Sequence, residues 1–561
     1  MTGITLTPVS GSPNVRRMWI GVTAAALVLL VYWRTLWFEF YWDDYHMVRP
    51  WTTAEVRHVL TRSWDPTRIE AVFYRPLASL WYAARFQLFG LNGAPQHAVS
   101  IAGMIVAAYL AGWFVLRETG RTRPAIIAAA IYALHPAFVY SEGAWLTNQM
   151  HLFSSLIVLS ALVVWQRVRD RPLAAWWPLA LLQIAAFGFK EDTILLTPLL
   201  VGLTLLRAWI VGDVRVPGPA IWLSGGALAG GLVFARFFML GKIGGYGIPS
   251  EDRAWFNFKR GLDAIFLMAP GRLVAGYRPW HPAARHVSMF MLALGAASAV
   301  VRRRRTIIYL LLCGVAIGVA FDLPFALVTK QSQMHLVTLG AVIALAASAE
   351  ALIEVVSAPV WRAVSTAGVA AGLATFIPLD AQIVDEFAPC YSETLGLDGQ
   401  ARSWSAVPEE VRAWLVSKRA ECDAGRVPVP MSRAIPSVTW TYDSDTTDGE
   451  SVRWTSGHSV MLIPWDYREL QIALRQPYAS SSSPVTVSIH GPFSEPVINT
   501  LTSGEWVYRT LPLGPTWRDW LRDSHWIDIN VSPTFVPGLR DPANPDNRKH
   551  GVEFRVVSVR P

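Results

Sequence analysis

The sequence predicts a polytopic α-helical membrane protein that ends in a β-sandwich or jelly-roll domain. Three observations carry this reading. Only 16% of the residues are charged, against roughly 25% in soluble domains. The apolar residues gather into runs of about 18 or more, the length that crosses a bilayer core. Those runs stop after about residue 379, and from about 435 apolar and polar residues alternate with period two.

The 561 residues are 52% hydrophobic, with mean hydropathy +0.32, a net charge of +8 and a pI near 9.4. A basic balance can signal nucleic acid. Here the arginines sit at the ends of apolar runs, where they orient helices, and no basic-aromatic motif accompanies them. Nucleic acid is excluded as a partner. Arg16 and Arg17 precede the first apolar run in the manner of a signal peptide. That run is too long and has no small-residue cleavage site, so a retained first helix is expected.

Eleven spans are expected, at about 18–36, 98–116, 124–141, 149–166, 173–189, 193–210, 219–239, 286–301, 306–323, 334–352 and 361–378. Arg16/Arg17, Arg117/Arg121/Arg123, Arg167/Arg169/Arg171, Arg207/Arg215 and Arg302 to Arg305 recur after every second span. They share one face, which the positive-inside rule makes cytoplasmic. The loops at 37–97, 142–148, 190–192, 240–285 and 324–333 then face the other side, as does everything after about 379. The expected organisation is a cytoplasmic segment (1–17), a membrane domain (18–378, first outer loop 37–97), a short-helical linker (379–434) and a β-sandwich (435–561). A bacterial inner membrane is the expected location. The first loop should hold an interfacial helix near Thr52 to Leu60.

Unusual polar residues collect in the outer loops. Asp43 and Asp44 follow the first span among aromatics. Tyr74-Arg75-Pro76-Leu77, His97, His135-Pro136, Glu142, Lys190-Glu191-Asp192, Arg236, Asp322, Lys330 and His335 complete the set. Charge at membrane depth is a site hypothesis by default; snorkelling at helix ends is the ordinary alternative for any one of them. Carboxylates and cations together suit transfer of a sugar from a lipid phosphate. A carboxylate can take the proton of an acceptor hydroxyl. Arginine and lysine can meet the leaving phosphate, and aromatics can stack on sugar faces. The residues themselves fix no metal-ligand spacing.

These motifs resemble a known superfamily. The aromatic-flanked pair Phe40-Tyr41-Trp42-Asp43-Asp44 opens the loop. Phe73-Tyr74-Arg75-Pro76-Leu77, Gln87-Leu88-Phe89-Gly90-Leu91-Asn92 and His97 follow. Then come Leu134-His135-Pro136 with Glu142, and Phe189-Lys190-Glu191 ahead of Leu195-Leu196-Thr197-Pro198. From about 40 to 340 the chain is similar to the C-type (GT-C) membrane glycosyltransferases, in their protein O-mannosyltransferase-like branch. It resembles the transmembrane O-mannosyltransferases, without their tetratricopeptide repeats. Lys330 to His335 stands where that family has an Arg/Tyr-rich segment.

The resemblance implies an inverting transferase that moves a mannose-like or other hexose or pentose. The donor would be a polyprenyl-phosphate lipid and the acceptor a hydroxyl on a glycan or protein outside the cytoplasm. It implies Asp43 as general base, with Asp44 in support. Arg75 and Lys190 would meet the donor phosphate or brace the carboxylates. Glu142 and Glu191 would position sugar hydroxyls or the base, and His135, Lys330 and His335 would bind substrate. Some members use a divalent cation and others do not; Asp43, Asp44 and His135 are the candidates to hold one. Two other readings compete: a polyprenyl-linked glycan transporter or flippase, and a non-catalytic envelope assembly protein. A transporter should carry its polar residues at the midplane of repeated halves, whereas these sit at one surface.

In the tail, Pro408 to Leu415 reads as a helix start. Cys390 and Cys422 can bridge in an oxidising compartment, and the sequence leaves bridged and free both open. Cys313 lies in a span. Leu470/Ile472/Leu474, Val485/Val487/Ile489, Ile527/Ile529/Val531 and Val552/Phe554/Val556 alternate as antiparallel strands. The ending around Asp546-Asn547-Arg548 and Gly551-Val552 resembles carbohydrate-binding-like modules, with Trp440, Trp454, Trp506 and Trp526 as candidates for sugar stacking. Gly244 to Gly247 precedes no strand-helix unit and is no nucleotide cradle. Asn530-Val531-Ser532 matches a glycosylation sequon inside a strand.

Overall fold

The computed structural model describes residues 12–41, 43–66, 73–138, 143–216, 218–241, 281–326, 335–356, 358–385, 387–390, 407–429, 431–441, 444–447, 450–536 and 550–561. The chain divides into two compact units. The first comprises Met1–Leu36, Arg57–Ser79 and His97–Phe387; the second comprises Trp37–Val56, Leu80–Gln96 and Ala388–Pro561.

The first unit is helical. Among the described residues, eight helices are long and apolar enough to cross a membrane: Pro13–Trp37, Gly93–Thr119, Gln149–Val168, Glu191–Ile210, Pro219–Leu240, Arg305–Leu323, Leu336–Val355 and Pro359–Asp385. Three further expected spans fall on shorter apolar helices, Thr122–Leu134, Leu173–Phe189 and Met289–Val301. Eight of the eleven expected spans thus coincide with helices of spanning length among the described residues, and three with shorter apolar ones. The near-span at 124–141 stops early because Pro136 follows His135, and the residue before a proline is pushed out of the helical region. His135 is accordingly extended, with ψ 121°.

Small residues let these helices approach closely, as in membrane bundles. Gly112 faces Ile20 and Ala125; a Cβ there would sit 2.7 Å from both. The helices at Pro13–Tyr32, Gly93–Thr119 and Thr122–Leu134 thus meet in one cluster with Ile20, Leu116, Ala125 and Ala129. Gly314 and Gly340 join Arg305–Ala326 to His335–Val355; a Cβ on either would collide with the other's carbonyl oxygen.

The arginine clusters are tied together by acids. Glu118 has a fully buried side chain and accepts from Arg169 at 2.8 Å and from Arg207. Glu350 accepts from Arg121 at 3.1 Å and from Arg123 at 2.7 Å. Glu354 meets Arg121 and Arg304, and Arg16 donates to the Gly120 carbonyl at 2.7 Å. Arginines from five separate segments thereby gather in one ionic layer of this unit, as the sequence pattern anticipates.

Among the described residues the second unit has ten strands: β1 (Val438–Trp440), β2 (Ser444–Thr447), β3 (Glu450–Trp454), β4 (His458–Pro464), β5 (Glu469–Arg475), β6 (Val485–His490), β7 (Val497–Leu501), β8 (Val507–Pro512), β9 (Ser524–Ser532) and β10 (Glu553–Arg560). They form two five-stranded sheets of order β1-β4-β9-β6-β7 and β2-β3-β10-β5-β8. Every pairing is antiparallel. Both sheets feed one core. Met461, Val487, Ile527 and Ile529 come from the first sheet, and Leu470, Ile472, Leu474 and Phe554 from the second. The period-two residues are buried here, except Val556, which is partly buried against the core, so this is the expected sandwich.

The helix Glu409–Asp423 follows Pro408, and a Cys390–Cys422 disulfide links its end to the preceding segment. The segments Trp37–Val56 and Leu80–Gln96, part of the expected first outer loop, belong to this same unit. Gln87 is held by Arg522, whose Nε donates to its carbonyl at 2.8 Å. Asn92 Nδ2 donates to the Leu521 carbonyl at 3.1 Å. Phe86 packs edge-on against Trp440 and Trp526, with ring centroids 5.0 and 5.3 Å apart.

Candidate functional site

The helical unit carries a buried polar cluster at Arg75. Its Nε donates to Glu191 Oε2 at 2.6 Å and its Nη2 to Oε1 at 3.2 Å, a two-point pairing across 116 positions of sequence. Only 2% of the Arg75 side chain is exposed. The guanidinium lies over the Phe73 ring, 3.9 Å from its centroid, and 5.1 Å from that of Trp64. A planar, delocalised cation suits this stacking and forked pairing in a way lysine does not. Arg236 adds a second contact to Glu191 at 3.5 Å, and Lys190 lies 3.7 Å from Asp192.

Local structure explains the placement. The helix Leu173–Phe189 ends at Lys190, which is extended (φ −155°, ψ 126°). A 3₁₀ turn, Glu191–Leu195, then leads into Leu196–Ile210. Thr193 Oγ1 donates to the Lys190 carbonyl at 2.9 Å. Gln183 ties the two helices by donating to the Ile194 carbonyl at 2.7 Å and accepting from Thr197 N–H at 2.8 Å. The break is thus braced, and its charged residues are fixed in place. Glu191 and Arg207 lie toward opposite ends of one 20-residue apolar helix, about 24 Å apart along its axis. The Arg75 cluster and the arginine layer therefore occupy opposite ends of the bundle.

Asp43 and Asp44 belong to the second unit, and their environments differ. Asp44 is fully buried, and its Oδ2 accepts the Tyr41 N–H at 3.0 Å. Asp43 is part-exposed; its carbonyl accepts from His46 N–H at 3.0 Å and Met47 N–H at 2.9 Å at the start of the helix Asp44–Met47. Arg85 is also fully buried. Burial pulls its guanidinium down to about 10, and the Asp44 carboxylate works against that shift. Arg49 closes the same loop, donating to Glu55 at 2.6 Å and stacking on Trp51. Thr52 and Glu55 cap each other at the start of the helix Thr53–Thr61, which is the expected helix near Thr52.

No family model and no curated protein matches this chain.

His135 is buried and its Nδ1 accepts the Ala137 N–H at 3.1 Å. Glu142 and Lys330 lie outside the described residues, as does the side chain of His335. Among the described residues no group of three or more His, Cys, Asp or Glu could hold a metal ion. Sequence reading missed Arg85, a fully buried cation within the field of Asp44 in the apolar helix Pro76–Phe89. It also missed Lys418. That lysine is 2% exposed and acts on the Glu39 carboxyl, which burial pushes up to about 7. Of the four candidate tryptophans, Trp440 packs on Phe86, Trp454 on Phe535 and His550, and Trp506 between Arg475 and Arg555. Trp526 lines a cavity of about 710 Å³ in the second unit.

Proposed function

We propose that this chain is an integral membrane glycosyltransferase of the GT-C kind. It moves a hexose or pentose from a polyprenyl-phosphate lipid to an acceptor hydroxyl, with inversion. One observation carries the reading most directly: Arg75, paired with Glu191 beside Lys190 and Arg236, lies at the opposite end of the bundle from the arginine layer. The positive-inside rule makes the arginine layer cytoplasmic. The Arg75 cluster then faces outward, where a sugar donor must come from the bilayer.

With Arg75, Lys190 and Arg236 against Glu191 and Asp192, the cluster holds three formal positive and two formal negative charges. That excess suits a lipid phosphate, whose charge grows as it leaves. The acceptor oxygen attacks the anomeric carbon as the bond from that carbon to the phosphate oxygen breaks. Asp43 takes the acceptor proton. Asp44 is fully buried and accepts the Tyr41 N–H, which favours the part-exposed Asp43 as base.

The test is transfer by the purified full chain from a panel of polyprenyl-phosphate sugars. Transfer from at least one donor, lost in Asp43→Asn with donor binding kept, is the expected result. Lipid-linked sugar crossing the bilayer without any transfer would replace this reading with a flippase.

A further inference from the structure

The central strand of the first sheet presents two faces of opposite character. On β9, Ile527, Ile529 and Val531 enter the core, whereas Trp526, Asp528 and Asn530 alternate with them and line the 710 Å³ cavity. The neighbouring strands extend this polar row. Asn530 stands opposite His458 of β4 and Ser488 of β6, and Asp528 stands opposite His490 of β6. His458 Nε2 lies 3.0 Å from Asp528 Oδ1, with the two side chains 36% and 32% exposed.

A solvent-facing sheet normally carries polar residues. Here the row lies in a half-open cleft. The short helix Trp517–Arg522 and the segment Pro50–Thr53 close two sides of it. The volume falls within the ~300–1,000 Å³ range of small-ligand sites.

The chemistry of the lining selects the ligand. Arg518 and Arg522 are matched by Asp519 and Asp528, so the cavity has no formal net charge to draw a polyanion, and Asp528 would repel one. An apolar ligand would strip water from the carboxylate, imidazole and carboxamide without replacing it. A sugar brings hydroxyl groups that both donate and accept, matching Asp528, His458 and Asn530. Its C–H face suits an indole such as Trp526.

We propose that this cavity binds an uncharged oligosaccharide, with Asp528, Asn530 and His458 reading its hydroxyl groups and Trp526 supplying apolar contact. The site stands independently of sugar transfer, because binding requires no lipid donor.

The experiment uses the full chain in detergent micelles on an array of immobilised neutral gluco-, galacto-, manno- and arabino-oligosaccharides, with oligogalacturonate as the acidic comparator. Affinities follow by calorimetry, with thermal unfolding as the check on folding. Wild type should bind at least one neutral oligosaccharide and not oligogalacturonate. Asp528→Ala and Asn530→Ala should each weaken binding at least tenfold. Ile498→Ala, on the exposed face of β7, should leave it unchanged. If Asp528→Ala unfolds, Asp528→Asn and His458→Ala carry the comparison. Binding only of the acidic comparator, no binding to any neutral oligosaccharide, or unchanged affinity in the folded variants would each overturn the assignment. Binding without transfer would leave this site standing while removing the transferase reading.

Discussion

Replacing Glu191 by glutamine tests whether the Arg75 cluster works on substrate or only holds the helices together. The substitution keeps size but removes the charge that faces Arg75 at 2.6 and 3.2 Å and Arg236 at 3.5 Å. A hydrogen bond to a charged group contributes roughly 1.5–3 kcal/mol. Losing the ionic character of two such bonds should cost about 3 kcal/mol in the placement of Arg75. At 1.4 kcal/mol per tenfold, kcat/KM for the lipid donor should fall roughly 100-fold. A destabilisation of ~3–5 kcal/mol is expected alongside, because a buried cation loses its partner. The double variant Arg75→Met/Glu191→Met separates the two effects. Removing both charges should recover most of the thermal stability and none of the transfer. Initial rates with purified protein in nanodiscs, together with melting curves, measure both quantities. A Glu191→Gln enzyme within threefold of wild type, or a double variant that regains full transfer, would refute a substrate role for the cluster.

Four further outcomes are expected. Burial raises Glu39 from 4.5 to about 7, so the folded chain holds that proton more tightly than the unfolded one. Its contribution to stability is full below pH 4.5 and is lost as pH rises through about 7. Glu39→Gln should therefore flatten the pH dependence of Tm in that window, and an unchanged profile would contradict the assignment. Glu118→Gln leaves Arg169 and Arg207 with a weaker partner at a fully buried position. It should destabilise the helical unit by ~3 kcal/mol or more, read from unfolding in detergent. Cys390→Ala/Cys422→Ala opens a bridge spanning 32 positions, for which loop entropy predicts a loss of at most about 4 kcal/mol; an unshifted melting transition would count against it. Ser481→Cys is exposed in the sandwich and should react with a membrane-impermeant maleimide on intact cells. The native background should be low, since Cys313 is buried and the other two cysteines are bridged. Protection of that cysteine would reverse the orientation.

The parts of this fold legible in the sequence are those set by local periodicity. Ile527, Ile529 and Val531 are buried because period two puts them on one face of β9. All eleven expected spans fall on helices because each is an apolar run, and Pro136 and Lys190 mark where two of them stop. The arginine layer was legible in its membership, since charge at helix ends is a local feature. Its mechanism was not, because Glu118 and Glu350 reach their arginines across 51 and 227 positions. The same holds for the candidate sites. Arg75 and Glu191 were each legible as charges beside apolar runs, but their pairing across 116 positions was not. Asp44 stood out beside its aromatics, while Arg85 looked like one polar residue in a helix. The grouping of Leu80–Gln96 with the tail rests on contacts such as Arg522 to Gln87, which no local pattern announces. The pairing of Cys390 with Cys422, left open by composition, is likewise a tertiary outcome.

The most direct measurement is transfer from a panel of polyprenyl-phosphate mannose, glucose, galactose and arabinose donors by the purified wild-type chain and by Asp43→Asn. Wild type should transfer sugar from at least one donor. That transfer should be lost in Asp43→Asn, with donor affinity unchanged. Wild type that transfers from none of them, or an Asp43→Asn chain that transfers at the wild-type rate, would contradict the transferase reading.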